Sequence, residues 1–375
     1  MLPLSTPAKT VSRRTNPKSR SGCRICKSRK VKRPSCSDRL KRGSACSFDS
    51  SSIPAATTSL ARETSHQSSS LGITDLKLLH HFTVSTCYTL SSEATVRDLW
   101  RVYIPQLGFS SEYVLHGLLS LAALHIGRFN SDRQNMYISQ AMEHHNASFK
   151  AALSFLTNIC PENSTALYMF SVLTFLFSLA CPKKPDVCLT ETGEIMPEWI
   201  SLLRGIRSIM NKQGLTIRSS PLALICWKDT EYLPSEAESY ENEHFKELEH
   251  SINVSSLKDA RKKEALLLAI NDLKQTFKRI SHSSPETEDQ AKQIFTWLYN
   301  VSDYYITLLN SGDGDALCIF GFFCILFIHL EHIWWAEGWA VYLIARVYSL
   351  VDDTRKLWLR WPVEEIGWVP VRSVW

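Results

Sequence analysis

Apolar residues recur with the period of an α-helix from about residue 72 onward, and the first 71 residues show no such period. An early helix is predicted to have Thr74 or Asp75 as its cap and to run through Leu76, Leu79 and Phe82. The i, i+3, i+4, i+7 spacing of a buried helix face is shared by Leu115, Leu118, Leu119, Ala122 and Ile126. Further helices are predicted at 133–158, 163–180, 196–213, 256–281, 287–309, 315–331 and 336–351. Strand patterns are nearly absent, so the fold class is predicted to be all-α, with one large helical domain over residues 72–375.

The proposed helix boundaries follow residues that start or stop helices. Helix ends are placed at or near Pro105, Pro161, Pro182 and Pro362, where proline costs least. The run Gly312-Asp313-Gly314-Asp315 is typical of a turn, and Asp315 is predicted to cap the apolar helix after it. Residues 231–255 are acidic, polar and weakly periodic, and they are predicted to form a long loop.

Two apolar stretches raise the question of membrane insertion. Residues 316–328 are thirteen unbroken apolar residues, fewer than the roughly 20 that a spanning helix needs. Residues 166–181 are interrupted by Ser171, Thr174 and Ser178. Both stretches are predicted to be buried helices of a soluble domain, so no membrane span is expected.

The charge is distributed unevenly between the beginning of the chain and the rest. Residues 1–50 hold 14 Lys or Arg and two acidic residues, and the remaining chain holds 28 basic and 35 acidic residues. A basic head on an acidic body indicates a segment that binds a polyanion, joined to a domain with another task. Residues 1–20 are predicted to be a disordered basic arm, 21–48 a cysteine-rich segment and 49–71 a flexible Ser/Thr-rich linker.

The four clustered cysteines have the spacing of metal ligands. They follow the pattern Cys-x2-Cys-x9-Cys-x9-Cys and are Cys23, Cys26, Cys36 and Cys46. A Cys-x2-Cys turn lets two thiolates hold one zinc ion, which prefers four tetrahedral soft ligands. The N-terminus carries no apolar signal-peptide core, so a reduced compartment is expected, and the other seven cysteines are predicted to be small core residues.

The basic residues between the clustered cysteines complete a recognisable pattern. The string SGCRICKSRKVKRPSCSDRLKRGSACSF resembles the binuclear zinc-cluster (Zn2Cys6) motif of fungal transcription factors. The resemblance implies zinc as cofactor, a nuclear location, double-stranded DNA and the transcription machinery as partners, and control of RNA polymerase II genes. It assigns zinc-ligand roles to the four cysteines and DNA contacts to Lys27, Arg29, Lys30 and Lys32. The same basic residues, with Arg13 and Arg14, are alternatively a nuclear-import signal.

Two of the six cysteines of that motif are replaced in this chain. The third ligand position is occupied by Arg33 and the fifth by Arg39, so one zinc at most is expected. Three interpretations stay open. The head binds one zinc and still recognises DNA, it is a decayed cluster with only non-specific phosphate affinity, or a wrongly placed exon boundary has removed the third cysteine from this sequence.

The helical body carries a second resemblance. The strings DLKLLHHFTVSTCYTLS and LWRVYIPQLGFSSEYVLHGLLSLAALHIGR and the tryptophan-rich stretch 316–370 resemble the regulatory domain of the sterol uptake control group of zinc-cluster regulators. The resemblance implies a hydrophobic pocket for a sterol or another apolar molecule. For single residues such as Phe320, Phe323 and Phe327, core packing is favoured over ligand contact. Trp334, Trp335 and Trp339 are also predicted to anchor packing, with hydrogen bonding to a ligand hydroxyl as the alternative.

No pattern of catalytic residues is present, so no enzymatic activity is predicted. The chain has no Gly-rich phosphate loop, no G-x-S-x-G and no H-E-x-x-H. The adjacent pairs His80-His81 and His144-His145 point about 100° apart on a helix and are interpreted as ordinary helix histidines, as are His116 and His125. The alternatives to a DNA-binding regulator are a regulator with a non-functional head that acts through ligand or protein binding, and an unrecognised helical enzyme.

Overall fold

The computed structural model describes residues 72–183, 196–227, 242–255, 259–282 and 289–370, all within the compact unit Ser70–Trp375. Every regular element in these ranges is helical and none is a strand, which confirms the predicted all-α class. The first α-helices are α1 (Ile73–Val84), α2 (Ala94–Asp98), α3 (Ile104–Ser110), α4 (Glu112–Arg128), α5 (Gln134–Leu156), α6 (Pro161–Ala180) and α7 (Glu198–Arg218). They are followed by α8 (Glu243–Ser255), α9 (Ala260–His282), α10 (Asp289–Asn300), α11 (Asp303–Asn310), α12 (Gly314–Cys324), α13 (Trp339–Leu350), α14 (Asp353–Trp358) and α15 (Arg360–Ile366). Short 3₁₀ turns cover Thr86–Thr89, Ser131–Arg133, Pro221–Leu224 and Ile325–Leu330, and a π-helical turn covers Leu99–Tyr103.

Helix α4 is the centre of the first half of the domain. It packs against α1, α3, α5 and α6 and is buried around nearly its whole circumference. Gly117 lets α6 approach closely, because a Cβ at this position would lie only 3.0 Å from Cδ1 of Leu173. The predicted buried face of α4 is confirmed from Leu115 to Ala122, while Ile126 is partly exposed.

The second half of the domain is built around aromatic side chains. Phe320, Phe322 and Phe323 on α12 are each at most 1% exposed. The ring of Trp297 on α10 stacks on Phe323 with 4.7 Å between ring centroids, and its Nε1 donates a hydrogen bond to the carbonyl oxygen of Ala269 at 2.9 Å. Burial of a phenylalanine side chain stabilises a fold by about 1.5–3 kcal/mol, so this cluster is a main source of stability.

Several predicted boundaries are wrong. The predicted loop 231–255 contains helix α8, which buries Phe245, Leu248 and Ile252. The predicted helix 287–309 is divided into α10 and α11, because Ser302 is extended and its hydroxyl accepts a hydrogen bond from the amide of Tyr305 as the cap of α11. The predicted helix 315–331 changes from α-helix to 3₁₀ at Ile325.

Two predicted residue roles are also wrong. The cap of α1 is Gly72 and not Thr74 or Asp75, and the amide of Gly72 donates a hydrogen bond to Oδ2 of Asp75 at 2.9 Å. The cap of α12 is Asp313, whose Oδ1 accepts hydrogen bonds from the amides of residues 315 and 316 at 3.1 Å. Asp315 lies in the first turn instead, where it is 1% exposed and pairs with Arg355.

One described helix, α6, is long and apolar enough to cross a bilayer, and α11 with the stretch Gly314–Leu330 passes the same test as a pair bent by 102°. In α6, 72% of the most apolar window is buried inside the domain. The apolar side chains of α6 are therefore explained by their place in the core of the domain.

Candidate ligand-binding cavity

An apolar cavity of about 1170 Å³ opens between the first and second halves of the helical domain. Its walls come from the turn after α1, the π-helical turn, helix α6, the segment after α7, the start of α10 and the segment before α13. The volume slightly exceeds the range of roughly 300–1,000 Å³ that small-molecule sites occupy. The cavity is therefore large enough for a small molecule with a rigid apolar skeleton.

The floor of the cavity is aromatic. Phe175 on α6 and Phe295 on α10 line it and meet edge to face, with 5.1 Å between ring centroids. Val172 and Leu176 extend this surface along α6, and Trp100 adds an indole ring from the π-helical turn. These side chains offer an incoming molecule dispersion contacts and few polar groups.

Polar side chains also line the cavity. They are contributed by the segment after α1 and by the elements opposite, and they include Thr89, Ser92, Glu93, Gln290, Lys292 and His332. A cavity with an apolar floor and a few polar groups is typical of sites that fix the orientation of a mostly apolar ligand.

The indole N–H groups of the three tryptophans at and before the start of α13 differ in their hydrogen bonding. Nε1 of Trp334 donates to Oγ1 of Thr89 at 2.9 Å, and Nε1 of Trp339 donates to the carbonyl oxygen of Leu179 at 2.9 Å. Trp335 lines the cavity, is 8% exposed and has no hydrogen-bond partner for Nε1 among the residues described. Packing thus uses Trp334 and Trp339 as the sequence predicted, and Trp335 keeps its donor unused.

The histidines form pairs between helices that sequence spacing could not indicate. Nε2 of His81 on α1 lies 3.1 Å from Nδ1 of His125 on α4, which also lies 3.0 Å from Oγ1 of Thr86. Burial, reinforced by His81, lowers the pKa of His125 to about 4. The ring of His125 also packs on Trp334, so it lies directly behind a residue that lines the cavity.

A second pair joins α4 to α5. Nδ1 of His116 and Nδ1 of His144 are 2.9 Å apart, and Nε2 of His144 lies 3.4 Å from a carboxylate oxygen of Asp75 on α1. Burial, reinforced by His116, lowers the pKa of His144. No group of three or more His, Cys, Asp or Glu side chains suited to a metal ion occurs among the described residues.

Four of the six scattered cysteines that the structure describes are core residues, as predicted, and Cys188 lies outside the described residues. Cys87, Cys226, Cys318 and Cys324 are completely buried, and burial raises the pKa of each of these thiols. Cys160 and Cys181 are partly buried. A raised pKa keeps a thiol protonated at neutral pH, so these side chains act as small apolar groups.

The sequence-predicted zinc and DNA sites lie outside the described residues. The zinc ligands predicted there are Cys23, Cys26, Cys36 and Cys46, and the predicted DNA contacts are Lys27, Arg29, Lys30 and Lys32. Their roles, and the division of residues 1–71 into arm, zinc-cluster segment and linker, stay predictions.

Comparison with known proteins supports the resemblance. Residues 77–227 match the family model described as the fungal specific transcription factor domain. The chain is 27% identical over 238 residues to the Zn(2)-C6 fungal-type transcription factor afumD of Aspergillus fumigatus, covering 58% of this chain and 61% of that protein. It is 23% identical to a Zn(2)-C6 fungal-type transcription factor of Gibberella zeae, over 94% of this chain and 86% of that one. Sterol uptake control protein 2 of Saccharomyces cerevisiae is 27% identical over 134 residues, covering 35% of this chain and 14% of its own.

The coverage differs greatly among these relatives. The chain spans 61% of the Aspergillus protein's length and only 14% of the Saccharomyces protein's length. The relatives are transcription factors, which points away from enzymatic activity.

Proposed function

Because this chain is related to the fungal zinc-cluster transcription factors, sterol uptake control proteins among them, we propose that it is a nuclear transcription regulator whose helical domain senses an apolar small molecule. The observation that carries the sensing role is the cavity of about 1170 Å³ with its aromatic floor. A sterol is the first candidate ligand, because a rigid apolar skeleton with one polar group fits an apolar cavity with few polar residues. Target genes of RNA polymerase II and contacts with the transcription machinery belong to the same proposal.

The DNA-binding role rests on the basic head. Lys27, Arg29, Lys30 and Lys32 supply cationic side chains for DNA phosphates and groove edges. The donor set of Cys23, Cys26, Cys36 and Cys46 fits one tetrahedral zinc, since zinc accepts four thiolates. Zinc would supply the folding energy of a segment too small for an apolar core.

The second candidate function is a regulator that does not itself bind DNA specifically. It is favoured by Arg33 and Arg39, which stand at two ligand positions of the six-cysteine motif. Such a protein would act through ligand or protein binding by the helical domain. Zinc content of the purified full chain, measured together with a DNA titration in rising salt, separates the two functions. One zinc per chain with a sequence preference supports DNA binding, and no zinc with only salt-sensitive non-specific binding supports the second candidate.

The sensing role is tested by filling the cavity. Val172 lines the floor and is 6% exposed, so Val172→Phe should reduce the volume available and weaken cholesterol binding at least tenfold. Val341→Phe is the matched control, since Val341 is 45% exposed on α13 and does not line the cavity. Equilibrium dialysis of labelled cholesterol against the full chain measures both variants. Equal binding by the two variants, or no saturable binding by the unmodified chain, would reject the cavity as a sterol site.

A further inference from the structure

Helix α5 presents a row of apolar side chains to solvent. Its buried residues, which face the domain, are Ala141, His144, Ser148 and Ala152. On the opposite side, Met142, Phe149 and Leu153 are 41%, 47% and 48% exposed, and the exposed Asn146 lies in the same row. We call these four residues the outer stripe of α5. Their spacing of i, i+4, i+7 and i+11 is the spacing of the seam in a coiled coil, so the stripe has the form of a surface that pairs with another helix.

Opposite charges follow one side of the outer stripe. Glu143 and Lys150 are exposed and lie seven residues apart, so they occupy the same position of successive heptads beside the stripe. The other side of the stripe is turned into the domain, because the ring of His145 stacks on Phe177 with 3.9 Å between ring centroids and Ala152 is completely buried. A helix that packs on the stripe therefore meets accessible charges along one side.

We propose that the outer stripe of α5 pairs with the same stripe of a second copy of this chain, so that the two helices form an antiparallel, two-fold symmetric dimer contact. A two-fold contact uses the same surface of both copies. Met142 of each copy then lies opposite Leu153 of the other, and Asn146 lies opposite Phe149 of the other. The inference does not depend on a ligand in the cavity. In the proposed DNA-binding role, such a dimer carries two basic heads, as recognition of paired half-sites requires.

The charges select this orientation and this register. With Met142 opposite Leu153, Glu143 of each copy lies nearly level with Lys150 of the other, which gives two ion pairs by symmetry. A register that sets Phe149 opposite Leu153 brings the two copies of Lys150 toward each other, and one that sets Met142 opposite Asn146 does the same for Glu143. In a parallel pair, the charged side of each helix faces the side of the other that is turned into its own domain. The antiparallel register is thus the arrangement in which opposite charges meet.

The contact should be weak and reversible. Each copy contributes three apolar side chains, and Asn146 in the seam lowers the stability of the pair while it helps to fix the register. Contacts of this size belong to the small, transient class of interfaces, so we expect a dissociation constant of about 10 µM. Sedimentation equilibrium of the full chain, without DNA, measures it over roughly 1–200 µM. A reducing agent is present throughout, so that disulfides between copies do not contribute.

A substitution in the apolar stripe tests the place of the contact. Phe149→Ser removes two rings from each dimer and should weaken association at least tenfold, because that apolar area stays in water. Phe109→Ser is the matched control, since Phe109 is a phenylalanine on another helix, α3, and is 66% exposed. It should associate like the unmodified chain. Both positions are exposed in the domain, and equal thermal unfolding midpoints at low concentration check that both variants fold.

Charge reversals test the orientation. Glu143→Lys and Lys150→Glu each place like charges at both pairs, so each should weaken association roughly tenfold. The double variant, Glu143→Lys with Lys150→Glu, restores opposite charges between the copies and should recover the affinity of the unmodified chain. The two residues are nearly two helical turns apart and do not meet within one copy, so an effect on folding would not produce this recovery.

Three results would overturn the proposal. A chain that stays monomeric over the whole concentration range shows that a second copy does not cover the stripe. A dimer that is unaffected by Phe149→Ser forms through another surface. A dimer that is weakened by both single charge reversals but not restored by the double variant does not have the antiparallel register. None of these results bears on ligand binding in the cavity, which leaves the proposed sensing function to its own test.

Discussion

At the scale of single residues, Asp315 in the first turn of α12 connects three helices through its carboxylate. Its carboxylate accepts hydrogen bonds from Nε and Nη2 of Arg355 at 2.9 and 2.8 Å, and Nζ of Lys262 lies 3.0 Å away. Burial alone would raise the pKa of Asp315, but the hydrogen bonds from Lys262 and Arg355 outweigh it and hold the pKa below its usual value. One buried carboxylate thus joins α9, α12 and α14.

Replacing this carboxylate should destabilise the domain. Asp315→Asn removes the charge that two cations share in a site only 1% exposed, and we expect a loss of about 3 kcal/mol in the free energy of unfolding. Asp353→Asn is the control, because Asp353 is 97% exposed in its pair with Lys356 and such pairs contribute about 0–1 kcal/mol. Urea unfolding followed by tryptophan fluorescence measures both. Equal midpoints would show that the buried pair contributes no more than the exposed one.

At the scale of elements, α1 is held to the domain by histidine contacts. His81 meets His125 on α4, and Asp75 meets His144 on α5, while the buried apolar contribution of α1 is limited to Leu78 and Phe82. Because His125 also packs on Trp334, α1 and the cavity wall share one side chain. The attachment of this helix should therefore respond to protonation.

The pH dependence follows from the lowered pKa of His125. Its pKa is about 4 in the folded domain and 6.5 when unperturbed, so the unfolded chain takes up the proton first as the pH falls. The stability contribution is fully present above pH 6.5 and is lost progressively between about pH 6.5 and 4. Thermal unfolding scans measure how far the unfolding midpoint falls between pH 6.5 and 4. This fall should be smaller in His125→Gln than in the unmodified chain. It should be unchanged in His250→Gln, because His250 is exposed on α8. An equal fall of the unfolding midpoint in both variants would contradict the role of His125 in the pH dependence.

The sequence predicts a structural feature well when that feature depends on the spacing of residues within one segment. The spacing of α4 predicted a buried face that the structure confirms from Leu115 to Ala122, but the burial of the rest of this helix depends on its neighbours and was not predicted. Helix α8 was missed among acidic residues, although Phe245, Leu248 and Ile252 follow helical spacing and could have revealed it. The cavity and the pairing of His81 with His125 depend on which helices meet, and no periodicity within one segment contains that information.

At the scale of the whole molecule, the charge is distributed unevenly between the first 50 residues and the rest of the chain. Residues 1–50 hold 14 of the 42 Lys and Arg and only two of the 37 acidic residues. The remaining chain has a net negative charge, so in the proposed DNA-binding role the attraction to DNA comes from the basic head. Association with DNA should consequently depend on a few cations and weaken steeply with salt.

Neutralising the head tests this division directly. Replacement of Lys27, Arg29, Lys30 and Lys32 by Gln should weaken DNA binding by the full chain, because each lost phosphate contact reduces the slope of log K against log salt by about 0.9. The control replaces an equal number of cations that are exposed on the helical domain by Gln, namely Lys77, Arg133, Lys212 and Lys246. These substitutions should leave the slope unchanged, since an acidic body contributes little to phosphate binding. If both sets reduce the slope equally, binding is a property of total charge, and the head has no separate role in recognising DNA.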